Sequence, residues 1–336
     1  MLEHGGRLRR AAQRYGIAHE QWLDLSTGVN PTSWCGIEVP RAAWARLPED
    51  DDGLVVAAQG YFGVPHVLPV AGSQAAIMHL PRLRAPGTVG VLAPSYAEHE
   101  FRWREAGHDV VPIAIADCPS AAEALDVLVL VNPNNPTGER MARAQLLEWH
   151  ARLAARGGWL VIDEAFADAD GSDSVASCSE REGLIVLRSL GKFFGLAGAR
   201  VGFVLAAPEF LTVLEERLGP WTIAGAARFL AQNALADQTW QSTMRVQLHA
   251  QRARLVALLR RHGLPPAGGC SLFQWVPTAS AAAIHEALAR AGILIRLFDA
   301  PRGLRFGLPA RDAEWARLDE ALLAYQLNHS RLHGNI

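Results

Sequence analysis

A single lysine is the side chain in this sequence best suited to covalent chemistry. Among the 32 basic residues only Lys192 is a lysine, and all the others are arginines. Arginine stays protonated, whereas a lysine amine can lose its proton and act as a nucleophile. A coding bias towards arginine explains the composition equally well, but a lysine that survives such a bias marks a position where arginine cannot substitute. Lys192 is therefore our candidate for chemistry that needs a primary amine.

Four polar clusters, one of which contains Lys192, follow apolar segments of the chain. They are Gly72-Ser73-Gln74, the NPNNPTG segment at 132–138, Asp163, and the segment 189–192. Taken singly, each has a plain structural explanation as a helix cap or a turn. In an open α/β sheet, however, ligands gather beyond the carboxyl ends of the strands. We therefore expect the four clusters to converge on one site.

The elements that must position these clusters alternate between strands and helices. Short apolar runs typical of strands buried on both faces begin at Val89, Asp109, Val127, Trp159, Leu184 and Val201. Helical patterns lie between them, which predicts an α/β domain with a mostly parallel sheet. After Ala224 a long Ala/Leu/Arg helical pattern leads into short strands and helices. We predict an N-terminal arm at 1–35 that packs with a small α+β domain at 225–336, and a large α/β domain at 36–224.

Composition excludes several classes of protein. The formal charge of −2 speaks against a nucleic-acid-coating protein. No apolar run is long enough to span a membrane, and the first residues do not resemble a secretory signal, so we expect a cytoplasmic location without membrane or nucleic-acid partners. The four cysteines are widely spaced without a CxxC pair, which predicts free thiols and no metal site.

Together the clusters resemble the fold-type I pyridoxal-5′-phosphate (PLP) enzymes, the aspartate aminotransferase superfamily, over nearly the whole chain. The most specific matches are NPNNPTG and SLGKFFGLAGARVGF. The resemblance implies a mostly parallel, mixed-sheet large domain, a smaller α+β domain and PLP as cofactor. It also implies site roles: Lys192 binds the cofactor aldehyde, Asp163 faces the pyridine nitrogen, Asn135 binds the ring oxygen, Tyr96 stacks on the ring, and Ser73, Gln74, Ser189 and Arg200 hold the phosphate.

Within that superfamily the chain resembles the histidinol-phosphate aminotransferase branch and, inside it, the L-threonine-O-3-phosphate decarboxylases of cobalamin biosynthesis. LEHGGRL, LDLSTGVNP, DEAF, LIRLFD and GLRFGLP carry this likeness. It implies a homodimeric lyase that forms (R)-1-amino-2-propanol O-2-phosphate from a phosphorylated amino acid. The substrate-binding residues that it implies are His4, Gly5, Asn30, Asn135, Arg296 and Arg305. An aminotransferase of the histidinol-phosphate type is the alternative, and a PLP-binding scaffold without turnover is a third possibility.

Two positions depart from the superfamily pattern. Phe166 stands where many aminotransferases have a tyrosine that binds the ring oxygen, so Asn135 must make that contact alone. Leu47-Pro48-Glu49 replaces a Tyr-Pro-Asp segment that commonly reaches the cofactor phosphate of the neighbouring subunit. We therefore expect no cross-subunit hydroxyl, although a dimer does not require one.

Overall fold

The structure, a computed structural model, describes residues 4–170 and 173–333. Its residues divide into two compact units. The large unit comprises Ser33–Asn135 and Glu139–Arg245. The small unit comprises the described residues up to Thr32, Pro136–Gly138, and the described residues from Val246 onward.

The large unit is built on a seven-stranded sheet with the order β2-β8-β7-β6-β5-β3-β4. Its strands are β2 (Leu68–Val70), β3 (Thr88–Leu92), β4 (Asp109–Ile113), β5 (Val127–Val131), β6 (Trp159–Asp163), β7 (Leu184–Ser189) and β8 (Gly202–Leu205). Strands β3 to β7 pair in parallel, whereas β8 is antiparallel to both β7 and β2. The predicted mostly parallel, mixed sheet is confirmed. Strand β2 was not predicted, because its three residues include Pro69 and it lies at the sheet edge, where proline is tolerated.

Helices connect these strands and cover the sheet. They are α2 (Ala42–Ala45), α3 (Leu54–Phe62), α4 (Ser73–His79), α5 (Ala97–Glu105), α6 (Cys118–Ala124), α7 (Arg143–Ala154), α8 (Leu190–Phe193), α9 (Pro208–Leu218) and α10 (Gly225–Ala236). The core consists largely of β-branched and leucine side chains of the central strands, such as Val127, Val161 and Leu187, which are fully buried. Burial on both faces explains why these strands read as continuous apolar runs.

The small unit contains a five-stranded sheet with the order β1-β11-β12-β10-β9. Its strands are β1 (Leu23–Leu25), β9 (Gly268–Cys270), β10 (Phe273–Pro277), β11 (Ile293–Asp299) and β12 (Arg302–Gly307). Its helices are α1 (Leu8–Tyr15, numbered first in the chain), α12 (Ala281–Arg290) and α13 (Asp312–His333). Strand β1 pairs in parallel with β11, so the N-terminal residues complete the sheet of the C-terminal part of the chain.

The boundary between the units lies further along the chain than the change in composition suggests. Helix α11 (Gln238–Arg261) contains the boundary at Arg245, and all of α10 belongs to the large unit. Helix α10 packs on α3, and its buried Arg228 pairs with Asp52 at 2.6 Å. An apolar helical pattern shows that a helix is buried, but it does not show against which neighbour. Among the described residues, no helix is both long and apolar enough to cross a membrane.

Candidate active site

The carboxyl ends of three adjacent parallel strands of the large unit carry the predicted polar residues. Asn132 follows β5, Asp163 ends β6, and Ser189 ends β7 immediately before α8, which contains Lys192. The sheet order places β5, β6 and β7 side by side. The structure therefore brings these three clusters to one edge of the sheet, as expected for a ligand site in an α/β fold.

Asp163 is a buried carboxylate with a histidine partner that sequence reasoning missed. It is 4% exposed, and Nε2 of His99, itself 1% exposed, lies 3.0 Å from Oδ2. The other carboxylate oxygen, Oδ1, accepts a hydrogen bond from the Ala165 amide at 3.0 Å. A buried carboxylate needs such donors to keep its charge. The only signal in the sequence is that His99 stands one helical turn after Tyr96, in PSYAEH.

Lys192 lies on the short helix α8 beside an aromatic ring. Its Nζ is 5.3 Å from the ring centroid of Phe166, which is 5% exposed. Phe166 lies three residues after Asp163, so the segment that follows β6 supplies both the buried carboxylate and the ring next to the amine. Lys192 itself is partly buried.

Two glycines without side chains, Gly72 and Gly202, form an anion cradle at the start of α4, where the Arg200 guanidinium and the Ser73 backbone approach closely. A Cβ at Gly72 would lie 2.8 Å from Nη2 of Arg200, and a Cβ at Gly202 would lie 2.4 Å from the backbone nitrogen of Ser73. Gly202 pairs with Ser189 across β8 and β7. Ser73, Ser189 and Arg200 are therefore grouped around two glycines, with backbone N–H groups and a guanidinium available to an anion.

Tyr96 and Gln74 contact each other. The Tyr96 hydroxyl donates to Oε1 of Gln74 at 3.1 Å, and Nε2 of Gln74 donates to Glu98 at 2.9 Å. Burial, followed by the negative charges of Glu98 and Asp163, raises the pKa of Tyr96 to about 12. Tyr96 is therefore a neutral donor at physiological pH, and Gln74 connects the start of α4 with the start of α5.

Two asparagines of the NPNNPTG turn hold the backbone, and the third is the predicted ligand. Asn132 exchanges hydrogen bonds with the backbone of Met141 at 3.0 and 3.1 Å. The buried Asn134 accepts from Ser95 at 2.8 Å and donates to the Pro94 carbonyl at 2.9 Å. These contacts fix the turn that presents the partly buried Asn135.

In the small unit, several predicted substrate residues meet at Ser26. Nη2 of Arg305 donates to the Ser26 carbonyl at 2.7 Å, and a Cβ at Gly5 would lie 2.5 Å from the same oxygen. Arg296 is the cross-strand neighbour of Arg305. Burial, followed by the positive charge of Arg296, lowers the pKa of Arg305 to about 10. Because the buried Arg305 lies beside Arg296 on the neighbouring strand, an anion beside these two positive charges would be bound favourably.

The two remaining predicted residues of the small unit differ in environment. Asn30 is 1% exposed, and its Oδ1 accepts from the Thr32 amide at 2.9 Å. His4, the first described residue, is partly buried. The sequence pattern indicated the LSTGVNP segment but not Ser26 itself. The carbonyl oxygen of Ser26 is a meeting point only because Gly5 and Arg305, which lie elsewhere in the chain, approach it in the fold.

Comparison with known proteins agrees with this geometry. Residues 58–321 match the family described as aminotransferase class I and II. The chain belongs to this family. It is 57% identical over 326 residues to the threonine-phosphate decarboxylase of Pseudomonas aeruginosa, covering 97% of this chain and 98% of that protein. It is 42% identical to a threonine-phosphate decarboxylase of Sinorhizobium sp over 97% of this chain and 99% of that protein.

Solved aminotransferase structures share the fold. A histidinol-phosphate aminotransferase from Sinorhizobium meliloti in complex with pyridoxal-5′-phosphate superposes with a TM-score of 0.83 at 19% identity, covering 97% of this chain and 98% of that one. At this identity the likeness shows the fold alone. The predicted membership of the PLP-dependent aminotransferase superfamily and the predicted fold class are both confirmed.

The large unit of this family member meets the chemical requirements of PLP. An aldehyde requires an amine, which Lys192 provides, and a protonated pyridine requires a carboxylate, which the buried Asp163 provides. A phosphate requires a cation and N–H donors, which Arg200 and the Ser73 backbone would supply, since Gly72 and Gly202 let these groups approach each other closely. Among the described residues, no cluster of His, Cys, Asp and Glu could hold a metal ion.

Proposed function

We propose that this chain is a PLP-dependent decarboxylase of L-threonine O-3-phosphate that forms (R)-1-amino-2-propanol O-2-phosphate for cobalamin biosynthesis. The observation that carries the proposal is the 57% identity to a threonine-phosphate decarboxylase along 97% of the chain. The site supports it, because a lone amine, a buried carboxylate and an anion cradle are grouped in the large unit. Transamination remains the alternative, since the chain is also 31% identical over 319 residues to the histidinol-phosphate aminotransferase of Shewanella amazonensis, covering 87% of this chain and 84% of that protein.

PLP, when bound, supplies an electron sink that accepts the electron pair left at Cα when a bond to Cα breaks. Asp163 keeps a proton on the pyridine nitrogen through its negative charge, and His99 holds the carboxylate in place at 3.0 Å. Lys192 would hold the cofactor through its amine, and Lys192 or a water would donate the proton that Cα needs once CO2 has left. Phe166 shields the amine from water, since its ring lies 5.3 Å away.

Ser73, Gln74, Ser189 and Arg200 would hold the cofactor phosphate, Tyr96 would stack on the ring, and Asn135 would donate to the ring oxygen. We assign the substrate to the arginines of the small unit. Arg305 and Arg296 carry two positive charges on neighbouring strands, which suits a substrate with a carboxylate and a phosphate. His4, Gly5, Asn30 and Asn135 complete the proposed substrate contacts. The proposed location is the cytoplasm.

We also propose a homodimer. The large unit exposes large apolar side chains on and around α2 and α3: Trp44 is 69% exposed, Leu47 65% and Val56 70%. Trp221, which is 61% exposed, lines a groove of about 570 Å³ together with Pro48, the neighbour of Leu47. Apolar exposure of this extent is typical of an interface. Light scattering should give a mass near twice 36.4 kDa, and Trp44→Glu should reduce it. A monomeric wild-type protein would refute the dimer.

The substrate assay separates the two reactions. The protein with PLP is mixed with phosphothreonine, and released CO2 is trapped and counted. A parallel sample receives histidinol phosphate and 2-oxoglutarate, and glutamate is measured. We expect CO2 without glutamate. Glutamate formation without CO2 would replace the decarboxylase by an aminotransferase, and a visible PLP band without turnover of either substrate would indicate a binding scaffold.

Lys192→Ala tests the covalent step. Because the sequence contains no second lysine, no neighbouring lysine can rescue the variant. We expect loss of the visible absorbance band and of borohydride-dependent attachment of PLP to the protein. Retention of a borohydride-fixed band on the chain would overturn the assignment.

A further inference from the structure

A buried charge cluster lies directly behind the segment that joins Asp163 to Phe166. Arg188, on β7 four residues before Lys192, is 5% exposed. Its Nη1 lies 2.5 Å from Oε2 of Glu164, and its Nη2 contacts Oδ1 of Asp168. Both carboxylates belong to the segment 163–168. The guanidinium therefore joins β7, the strand that leads into the lysine-bearing helix α8, to both ends of the turn that carries Phe166.

Each carboxylate has further partners, so the cluster is held from several sides. Glu164 accepts from the Ser174 hydroxyl at 2.6 Å and from the Val175 amide at 2.9 Å. Asp168 accepts from the Tyr61 hydroxyl at 3.1 Å. Nε of Arg188 has no hydrogen-bond partner among the described residues, but the contacts of its two Nη atoms and of both carboxylates together favour one conformation of the segments that they join.

Arg245 closes the outer side of the cluster. Its Nε donates to the Asp168 carbonyl at 3.0 Å, and its guanidinium lies 5.1 Å from the ring centroid of Phe193, the neighbour of Lys192. Burial disfavours the charge of Arg188, but Asp168 and Glu164 outweigh that effect and raise its pKa. Burial and then the Asp168 charge raise the pKa of Tyr61. The guanidinium thus stays charged and the phenol stays neutral.

We propose that Arg188, through its ion pairs with Glu164 and Asp168, is a positioning residue. It fixes the Phe166 ring beside the amine of Lys192 and keeps the Asp163 carboxylate in its position relative to that amine. The bridge needs the planar fork of arginine, because an ammonium cannot reach two carboxylates with parallel hydrogen bonds. This inference rests on the proposed function only in taking Lys192 as the reacting amine. None of the four side chains of the cluster, Tyr61, Glu164, Asp168 and Arg188, carries an assigned catalytic role.

The experiment measures the reactivity of the Lys192 amine in the full chain without added PLP. An amine-reactive reagent, acetic anhydride, labels the chain, and peptide mass spectrometry measures the rate at Lys192, the only lysine. Asp168→Asn keeps the shape of the side chain but removes the charge facing Arg188. We expect labelling to rise at least about fivefold, because loosening the bridge frees the amine from Phe166. With PLP bound, the pH at which the visible band changes should also shift.

The matched control is Asp52→Asn, which removes the carboxylate facing the equally buried Arg228 in the same unit. It should lower the resistance to urea in the same way but leave labelling at Lys192 unchanged. Arg188→Lys provides a second variant that keeps the charge and should behave like Asp168→Asn. Unchanged labelling in both cluster variants, or an equal rise in the control, would overturn the proposal. Failure of the wild type to bind PLP would instead count against the proposed function.

Discussion

Replacing His99 tests whether the partner of Asp163 matters to the reaction. In His99→Phe the buried Oδ2 of Asp163 loses the donor that lies 3.0 Å away, and only the Ala165 amide on Oδ1 remains among its described contacts. A buried acceptor left without its donor costs about 1–3 kcal/mol. Since about 1.4 kcal/mol corresponds to a factor of ten, we expect PLP affinity or kcat to fall about 5- to 150-fold.

His99→Gln should retain most of the activity, because the glutamine amide can donate from a similar position. The assay combines spectral titration with PLP, CO2 release from phosphothreonine, and unfolding in urea. His150 is a matched control: it is 4% exposed and its Nε2 lies 2.9 Å from the Glu182 carbonyl. His150→Phe should cost stability without changing the PLP Kd or kcat. Wild-type rates and PLP affinity in His99→Phe would refute the reasoning.

Three further predictions concern the site. Asp163→Asn should slow CO2 release about a thousandfold or more while PLP still binds, because an uncharged side chain cannot keep the pyridine protonated; an unchanged rate would place the electrostatic partner elsewhere. Arg305→Lys should raise KM for phosphothreonine about tenfold without altering the PLP Kd, since lysine lacks the bidentate fork, and an unaltered KM would contradict the carboxylate assignment. Tyr96 has a folded-state pKa raised from 10.0 to about 12, so its stabilising effect is complete below pH 10 and is lost as pH rises towards 12. Urea unfolding should therefore weaken more steeply above pH 10 in the wild type than in Tyr96→Phe, and parallel curves would argue against the shift.

The six predicted strands of the large unit could be found in the sequence because each is a continuous apolar run. The side chains of β3, β5, β6, β7 and β8 are largely buried on both faces, so apolar composition alone indicates these strands. The expectation of burial on both faces is wrong for β4, an edge strand in which Asp109, Val111 and Pro112 are exposed. The predicted strands also placed Asp163 and Ser189 at carboxyl ends, and the carboxyl ends of parallel strands lie at the same edge of a sheet. The roles of these residues towards PLP stay predictions.

The contacts that stabilise the site could not be predicted, because they join residues that are distant in the chain. His99 lies 64 positions from Asp163, and Ser26 lies 279 positions from Arg305. Arg188 has the appearance of an ordinary strand residue in a chain rich in arginine. Only packing shows that two carboxylates surround it. For the same reason, composition could not place α10 in the large unit.

The consecutive carboxylates Asp163 and Glu164 have different neighbours. Asp163 contacts His99, whereas Glu164 contacts Arg188. Because side chains alternate along an extended chain, a slip of β6 by a single residue would exchange these two acids between opposite faces of the sheet. Deleting one residue from Trp159–Ile162 would thus leave every proposed site residue in the chain and is still expected to abolish activity. Strand parity, as much as residue identity, would then separate the acid that we propose for chemistry, Asp163, from the acid that pairs with Arg188, Glu164.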